Sequence, residues 1–134
     1  MSAPTSSRQN ESLRILIVEN HSDTLRYLQM YLEQLGHKID VAKTMHEGLA
    51  AAQTADLDVL ISDIGLPDGD GWELMRSAEF KHPVYAIAMS GYGMEADRAK
   101  SIKAGFKHHL LKPFLPDELN DMLEEAIRER RTRA

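Results

Sequence analysis

The chain has 134 residues, a formal charge of −5, 43% apolar and 28% charged residues, and no cysteine. That length suits one domain with a core of its own, and the absence of cysteine excludes a disulfide framework and thiolate metal sites. The acidic balance argues against direct nucleic-acid binding, no apolar run reaches the length of a membrane span, and the N-terminus lacks a signal-peptide core. A cytoplasmic domain with no membrane partner is expected.

Residues Met1 to Ser12 are polar and aperiodic, and are expected to be a disordered tail (1–12) ahead of one domain (13–131), with a short C-terminal tail (132–134). Leu13 to Val18 is β-branched and apolar, a first strand running into Glu19-Asn20-His21. Ser22 is placed to cap the next helix, whose Leu25, Leu28, Leu32 and Leu35 share a face and which Gly36 closes. His37 to Ala42 reads as a second strand and Met45 to Gln53 as a short helix with Leu49 and Ala52 inward. Leu57 to Ile61 is a run of the kind buried on both faces, and Ser62-Asp63 ends it before the turn residues Gly65, Pro67, Gly69 and Gly71.

Trp72 to Lys81 is predicted helical, stopped by Pro83. Val84 to Met89 is a fourth buried strand ending at Ser90-Gly91-Tyr92-Gly93, and Glu95 to Ala104 a helix stopped by Gly105. His108 to Leu111 is a fifth strand running into Lys112-Pro113-Phe114. Alternation sets His108 and His109 on opposite faces, so the pair is no chelate. Pro116 opens a last helix with Leu119, Met122, Leu123 and Ile127 inward.

Five strand–helix alternations with short connections predict an α/β fold: a doubly wound, five-stranded parallel sheet with helices on both faces. In such a sheet the carboxyl ends of the strands converge on one edge, where ligands bind. Four of them here end in Glu19-Asn20, Asp63, Ser90 and Lys112. Carboxylates with an amide oxygen are hard ligands of the Mg²⁺ kind, while an ammonium and a hydroxyl suit charge developing on a phosphoryl group. Asp63 would be the nucleophile, forming an acyl phosphate. Taken singly, Asp63 or Asn20 would cap a helix or turn and Ser90-Gly91 would be an ordinary turn; it is their combination with Lys112-Pro113 that points to phosphoryl chemistry.

Val18-Glu19-Asn20, Ser62 to Pro67 with Gly71, Ser90-Gly91 and Lys112-Pro113-Phe114 occur in one order, and from Leu13 to Glu129 the chain resembles the receiver domain of two-component response regulators. The resemblance implies a flavodoxin-like receiver fold and a phospho-acceptor at Asp63. It implies Mg²⁺ or Mn²⁺ held by Glu19, Asn20, Asp63 and the Gly65 carbonyl, a switch hydroxyl at Ser90, a pairing lysine at Lys112 and a cis bond at Lys112-Pro113. The phosphoryl donor would be a histidine kinase or phosphotransfer protein, and a downstream protein would read the face from Glu95 to Arg131. The loops are most like receivers of hybrid sensor kinases. Such a domain phosphorylates itself from donors and loses the group again, but is not a turnover enzyme.

The chain departs from the pattern in three places. Asn20 stands where the family most often has Asp, which implies weaker Mg²⁺ binding. His109 holds the position of an aromatic switch residue, often Tyr or Phe, with a ring that can titrate near neutrality. Gly65 and Tyr92 hold the positions thought to tune phosphoryl lifetime and imply a long-lived phosphoaspartate. The alternative is a pseudo-receiver that binds partners without phosphorylation. A haloacid-dehalogenase-like phosphatase would need an Asp where Gly65 stands, and a flavodoxin-like cofactor binder would need a Ser/Thr-rich loop after the first strand. With no effector segment following, output is expected through another protein, or from a larger protein of which this is one domain.

Overall fold

The computed structural model describes residues 11–91 and 95–133, the side chains of 132 and 133 excepted. Residues 1–10 of the tail expected over 1–12, and Tyr92, lie outside the described residues. In chain order the elements are β1 (Arg14–Val18), α1 (Ser22–Gln34), β2 (Lys38–Ala42), α2 (Met45–Thr54) and β3 (Val59–Asp63). Then come α3 (Gly71–Ser77), β4 (Tyr85–Ser90), α4 (Glu95–Ala104), β5 (His108–Leu111) and α5 (Pro116–Arg133). A small antiparallel hairpin, Gly65–Leu66 against Gly69–Asp70, joins β3 to α3.

All five main strands are parallel, in the order β2-β1-β3-β4-β5, which is the doubly wound sheet expected from the alternation. Period-two alternation divides the core between two faces. Leu13, Ile15, Ile17, Ile61, Ile87 and Met89 pack with Leu25, Leu28 and Leu32 of α1 and Leu119 and Leu123 of α5. On the other face Leu16, Val18, Leu60, Ala86 and Ala88 pack with Leu74 of α3, Ile64 and Phe106. β3 is buried along its whole length, as a central strand covered on both faces must be. Asp58 ties the sheet's far end, accepting the Arg14 amide at 2.9 Å and the Arg130 guanidinium at 3.1 Å.

Two local expectations change. His21 is the N-cap of α1 and makes no side-chain cap bond; Ser22 is instead the first helical residue and its Oγ accepts from Lys43 Nζ at 2.8 Å. α3 ends at Ser77 rather than at Lys81, with Ala78 already extended. Beyond it Phe80 and Val84 pack against the second core face, so burial of these side chains overrides the helical pattern of the segment. Gly36 and Gly105 close α1 and α4 at φ 97° and 117°.

Gly71 is required for a different reason. A Cβ there would stand 2.6 Å from Asp63 O and 3.1 Å from Ile64 Cα, because α3 starts directly over the end of β3 and the Gly71 amide donates to Ile64 O at 2.8 Å. Gly65, with nothing within 4 Å of its would-be Cβ, has no such neighbour. Gly71→Ala is therefore expected to lower unfolding stability by roughly 1–3 kcal/mol, while Gly65→Ala changes it by about 0.5 kcal/mol or less. Denaturant unfolding of the two variants side by side checks the contrast.

Candidate functional site

Glu19 follows β1, Asp63 ends β3, Ser90 ends β4 and Lys112 follows β5, so the sheet order brings all four to one edge. Asp63 lies opposite Met89 in the β3–β4 register, which puts Ser90 one residue beyond it. Lys112 reaches across β4, and its Nζ donates to Glu19 Oε1 at 2.5 Å and to Asp63 Oδ2 at 2.9 Å. The Lys112–Pro113 peptide is cis, as the resemblance implies.

Electrostatics separates the two carboxylates. Burial works to raise Glu19, but hydrogen bonds from Lys112 and from the His21 amide outweigh it and hold its pKa below the usual value. Asp63 goes the other way: burial raises its pKa, the adjacent Glu19 adds to that, and Lys112 only partly offsets it. Burial works against the Lys112 ammonium, yet its two carboxylate partners raise its pKa overall. One ammonium is thus shared between two buried acids.

The other loop acids serve as caps. Asp68 accepts the Met45 and His46 amides at 2.7 and 2.9 Å, bonds that lower its pKa and pin the loop to the start of α2. Asp70 caps α3 by accepting the Glu73 amide at 2.8 Å. Asp63 is left as the loop's acid that faces the lysine.

Asn20 is exposed while Glu19 is fully buried. Among the described residues a third metal-capable group, His21, stands beside Glu19 and Asp63; one ligand atom from each of the three lies within 4.8 Å of the others. The His21 ring is mostly exposed, with Nδ1 3.0 Å from Glu19 Oε2. Two carboxylates within reach of one cation, already bridged by an ammonium, fit a hard divalent metal.

His109 is buried on the face away from His108. Its Nε2 is 2.8 Å from Ser90 Oγ and its Nδ1 is 2.9 Å from Ser101 Oγ on α4. The Trp72 indole N–H of α3 donates to that same Ser101 hydroxyl at 2.9 Å. His108 points to Glu125, which also accepts from the Tyr85 hydroxyl. No motif in the sequence marks Trp72 or Ser101 as part of the site; the signal available was the indole N–H, which needs a partner once buried.

A family model for the response regulator receiver domain matches residues 15–124. The chain is 38% identical over 114 residues to the KDP operon transcriptional regulatory protein KdpE of Escherichia coli, covering 85% of this chain and 51% of that protein. An uncharacterized 14.6 kDa protein of Leptolyngbya boryana is 32% identical and is covered over 87% of its length. The chain spans about half the length of several curated relatives it matches, 51% of KdpE and 46% of ResD of Bacillus subtilis. Among solved structures, a CheY-like response regulator receiver domain protein from Methanospirillum hungatei superposes with a TM-score of 0.85 at 30% identity, covering 92% of this chain and 99% of that one.

The raised pKa of Asp63 has a sign that can be tested. Its ionisation costs the folded state stability above the raised folded value, and that cost disappears as pH falls below the ordinary 3.8, where both states are protonated. Asp63→Asn is accordingly expected to raise Tm by a few degrees at neutral pH, with the gain vanishing by about pH 3; thermal melts across that range check it. Fold, ordered motifs and relatives agree: the chain belongs to the response regulator receiver domain family.

Proposed function

We propose that this domain accepts a phosphoryl group on Asp63 from the phosphohistidine of a histidine kinase or phosphotransfer protein. The observation that carries the reading is the Lys112 ammonium bonded to both Glu19 and Asp63 at the strand ends, with Ser90 one residue beyond the Asp63 register. A free oxygen lone pair of Asp63 attacks phosphorus, the O–P bond forms as the N–P bond breaks, and the electron pair stays on the leaving imidazole. Lys112 balances charge on the phosphoryl oxygens, and the Ser90 hydroxyl donates to one of them.

Glu19, Asn20, Asp63 and the Gly65 carbonyl would hold Mg²⁺ or Mn²⁺. When bound, that metal supplies positive charge to the phosphoryl oxygens. The modified domain then presents an altered face, from Glu95 to Arg131, to a downstream protein in the cytoplasm. Gly65 has no side chain to orient an attacking water, which favours a slowly hydrolysed acyl phosphate; the companion position, Tyr92, lies outside the described residues.

One observation favours a second reading, a phosphorylation-independent interaction module: Asn20 brings no charge to the edge and is exposed. Intact mass after incubation with acetyl phosphate and Mg²⁺ separates the two. A gain of about 80 Da that is lost in Asp63→Ala supports the acyl phosphate, and its decay is expected to take far longer than seconds. No gain, with active donor and metal, overturns it in favour of the interaction module. Asn20→Asp is expected to tighten Mg²⁺ binding by about tenfold, the effect of roughly 1.4 kcal/mol from one added carboxylate. Equal affinities in a metal titration would refute the assignment of Asn20 as the weak ligand.

A further inference from the structure

Ser101 is fully buried, and among the described residues its hydroxyl has two side-chain partners, Trp72 Nε1 and His109 Nδ1. The indole nitrogen is a donor only, so Ser101 Oγ accepts there. Its own hydrogen then goes to His109 Nδ1, since a buried hydroxyl hydrogen left without an acceptor is costly. An Nδ1 that accepts leaves the ring proton on Nε2, which donates to Ser90 Oγ at 2.8 Å. Ser90 therefore accepts on the His109 side and directs its own hydrogen elsewhere. That is the polarity a hydroxyl needs in order to donate to a phosphoryl oxygen.

We propose that Trp72 and Ser101 are positioning residues for the phosphoryl-accepting site, setting the tautomer of His109 and through it the orientation of the Ser90 hydroxyl. The inference rests on the phospho-acceptor reading and adds its control from α3 and α4. Histidine is required at this position by the chain of bonds. A phenylalanine ring would carry none of them, and a tyrosine hydroxyl sits at the ring's tip and cannot be held from both sides. Directionality runs from the indole inward: Trp72 to Ser101, Ser101 to His109, His109 to Ser90. Ser90 can donate to a phosphoryl oxygen while still accepting from the His109 Nε2–H, so the site and the α3–α4 contact stay linked through Ser101. Trp72, the chain's single tryptophan, has Lys100 Nζ 5.0 Å from its ring centroid, so its emission reports on this contact.

The test uses the full chain with ¹⁵N-labelled histidine, the His109 ring signals being assigned with His109→Gln. Long-range proton–nitrogen spectra of the unphosphorylated protein are expected to show Nε2 protonated and Nδ1 bare. Trp72→Phe, which keeps the ring's packing and frees the Ser101 hydroxyl to accept, should move His109 toward the Nδ1–H form, while Ser101→Ala should shift the Nδ1 resonance by removing its donor. The rate of phosphoryl uptake from acetyl phosphate with Mg²⁺ should fall roughly threefold to tenfold in each, the equivalent of one hydrogen bond.

A wild-type His109 protonated on Nδ1 would overturn the proposal, as would a shifted tautomer with an unchanged uptake rate. Unchanged tautomer and rate in both variants would overturn it too. If the wild-type chain takes up no phosphoryl group at all, the phospho-acceptor reading fails and the positioning role with it. The spectra of that unphosphorylated protein still show independently whether the bond chain sets the tautomer.

Discussion

The bond that organises this domain is the pair of contacts from one lysine ammonium to two buried carboxylates. Glu19 is completely buried and Asp63 nearly so, and two such charges side by side would oppose folding if nothing balanced them. Lys112 balances them from two and three strands away, which requires the β2-β1-β3-β4-β5 order and the parallel register that aligns every strand end. The surrounding features serve that alignment. Gly71 lets α3 begin against the Asp63 carbonyl, Asp68 ties the loop to α2, and Asp70 caps α3. A single edge thus concentrates charge, while the sheet beneath it is apolar on both faces.

Imbalance in that cluster matters as much as its presence. Glu19 collects Lys112 and the backbone and ring of His21, so it is the settled anion. Asp63 is the unsettled one, held by one shared ammonium and a weak 3.4 Å contact from the Gly65 amide. A carboxylate that its surroundings stabilise poorly is the one that gains most from an incoming cation. The local electrostatics single out the same residue that the ordered motifs do.

A second polar system runs beside the first. Trp72, Ser101, His109 and Ser90 form a line of short hydrogen bonds through the second core layer, linking α3 and α4 to the end of β4. Buried polar groups persist when every member finds a partner, and such chains transmit orientation because each bond sets the direction of the next. His109 is the hinge of this line and Ser90 is where it meets the carboxylate cluster.

Much of this was legible in the residues alone. The alternation of apolar runs and periodic helices determined a doubly wound parallel sheet, because strands covered on both faces and right-handed crossovers leave few other arrangements. Polar residues at four strand ends determined which edge carries chemistry, since parallel strands must all end on the same side. What the sequence did not contain is distance. Ser101 is 29 residues from Trp72 and eight from His109, and nothing local to a serine in a polar helix says that it joins them. The early end of α3, the exposure of Asn20 beside buried Glu19, and the division of one lysine between two acids were likewise decided only by packing. Periodicity records which face of an element is apolar; which polar atoms then meet in the interior depends on how the faces close against one another.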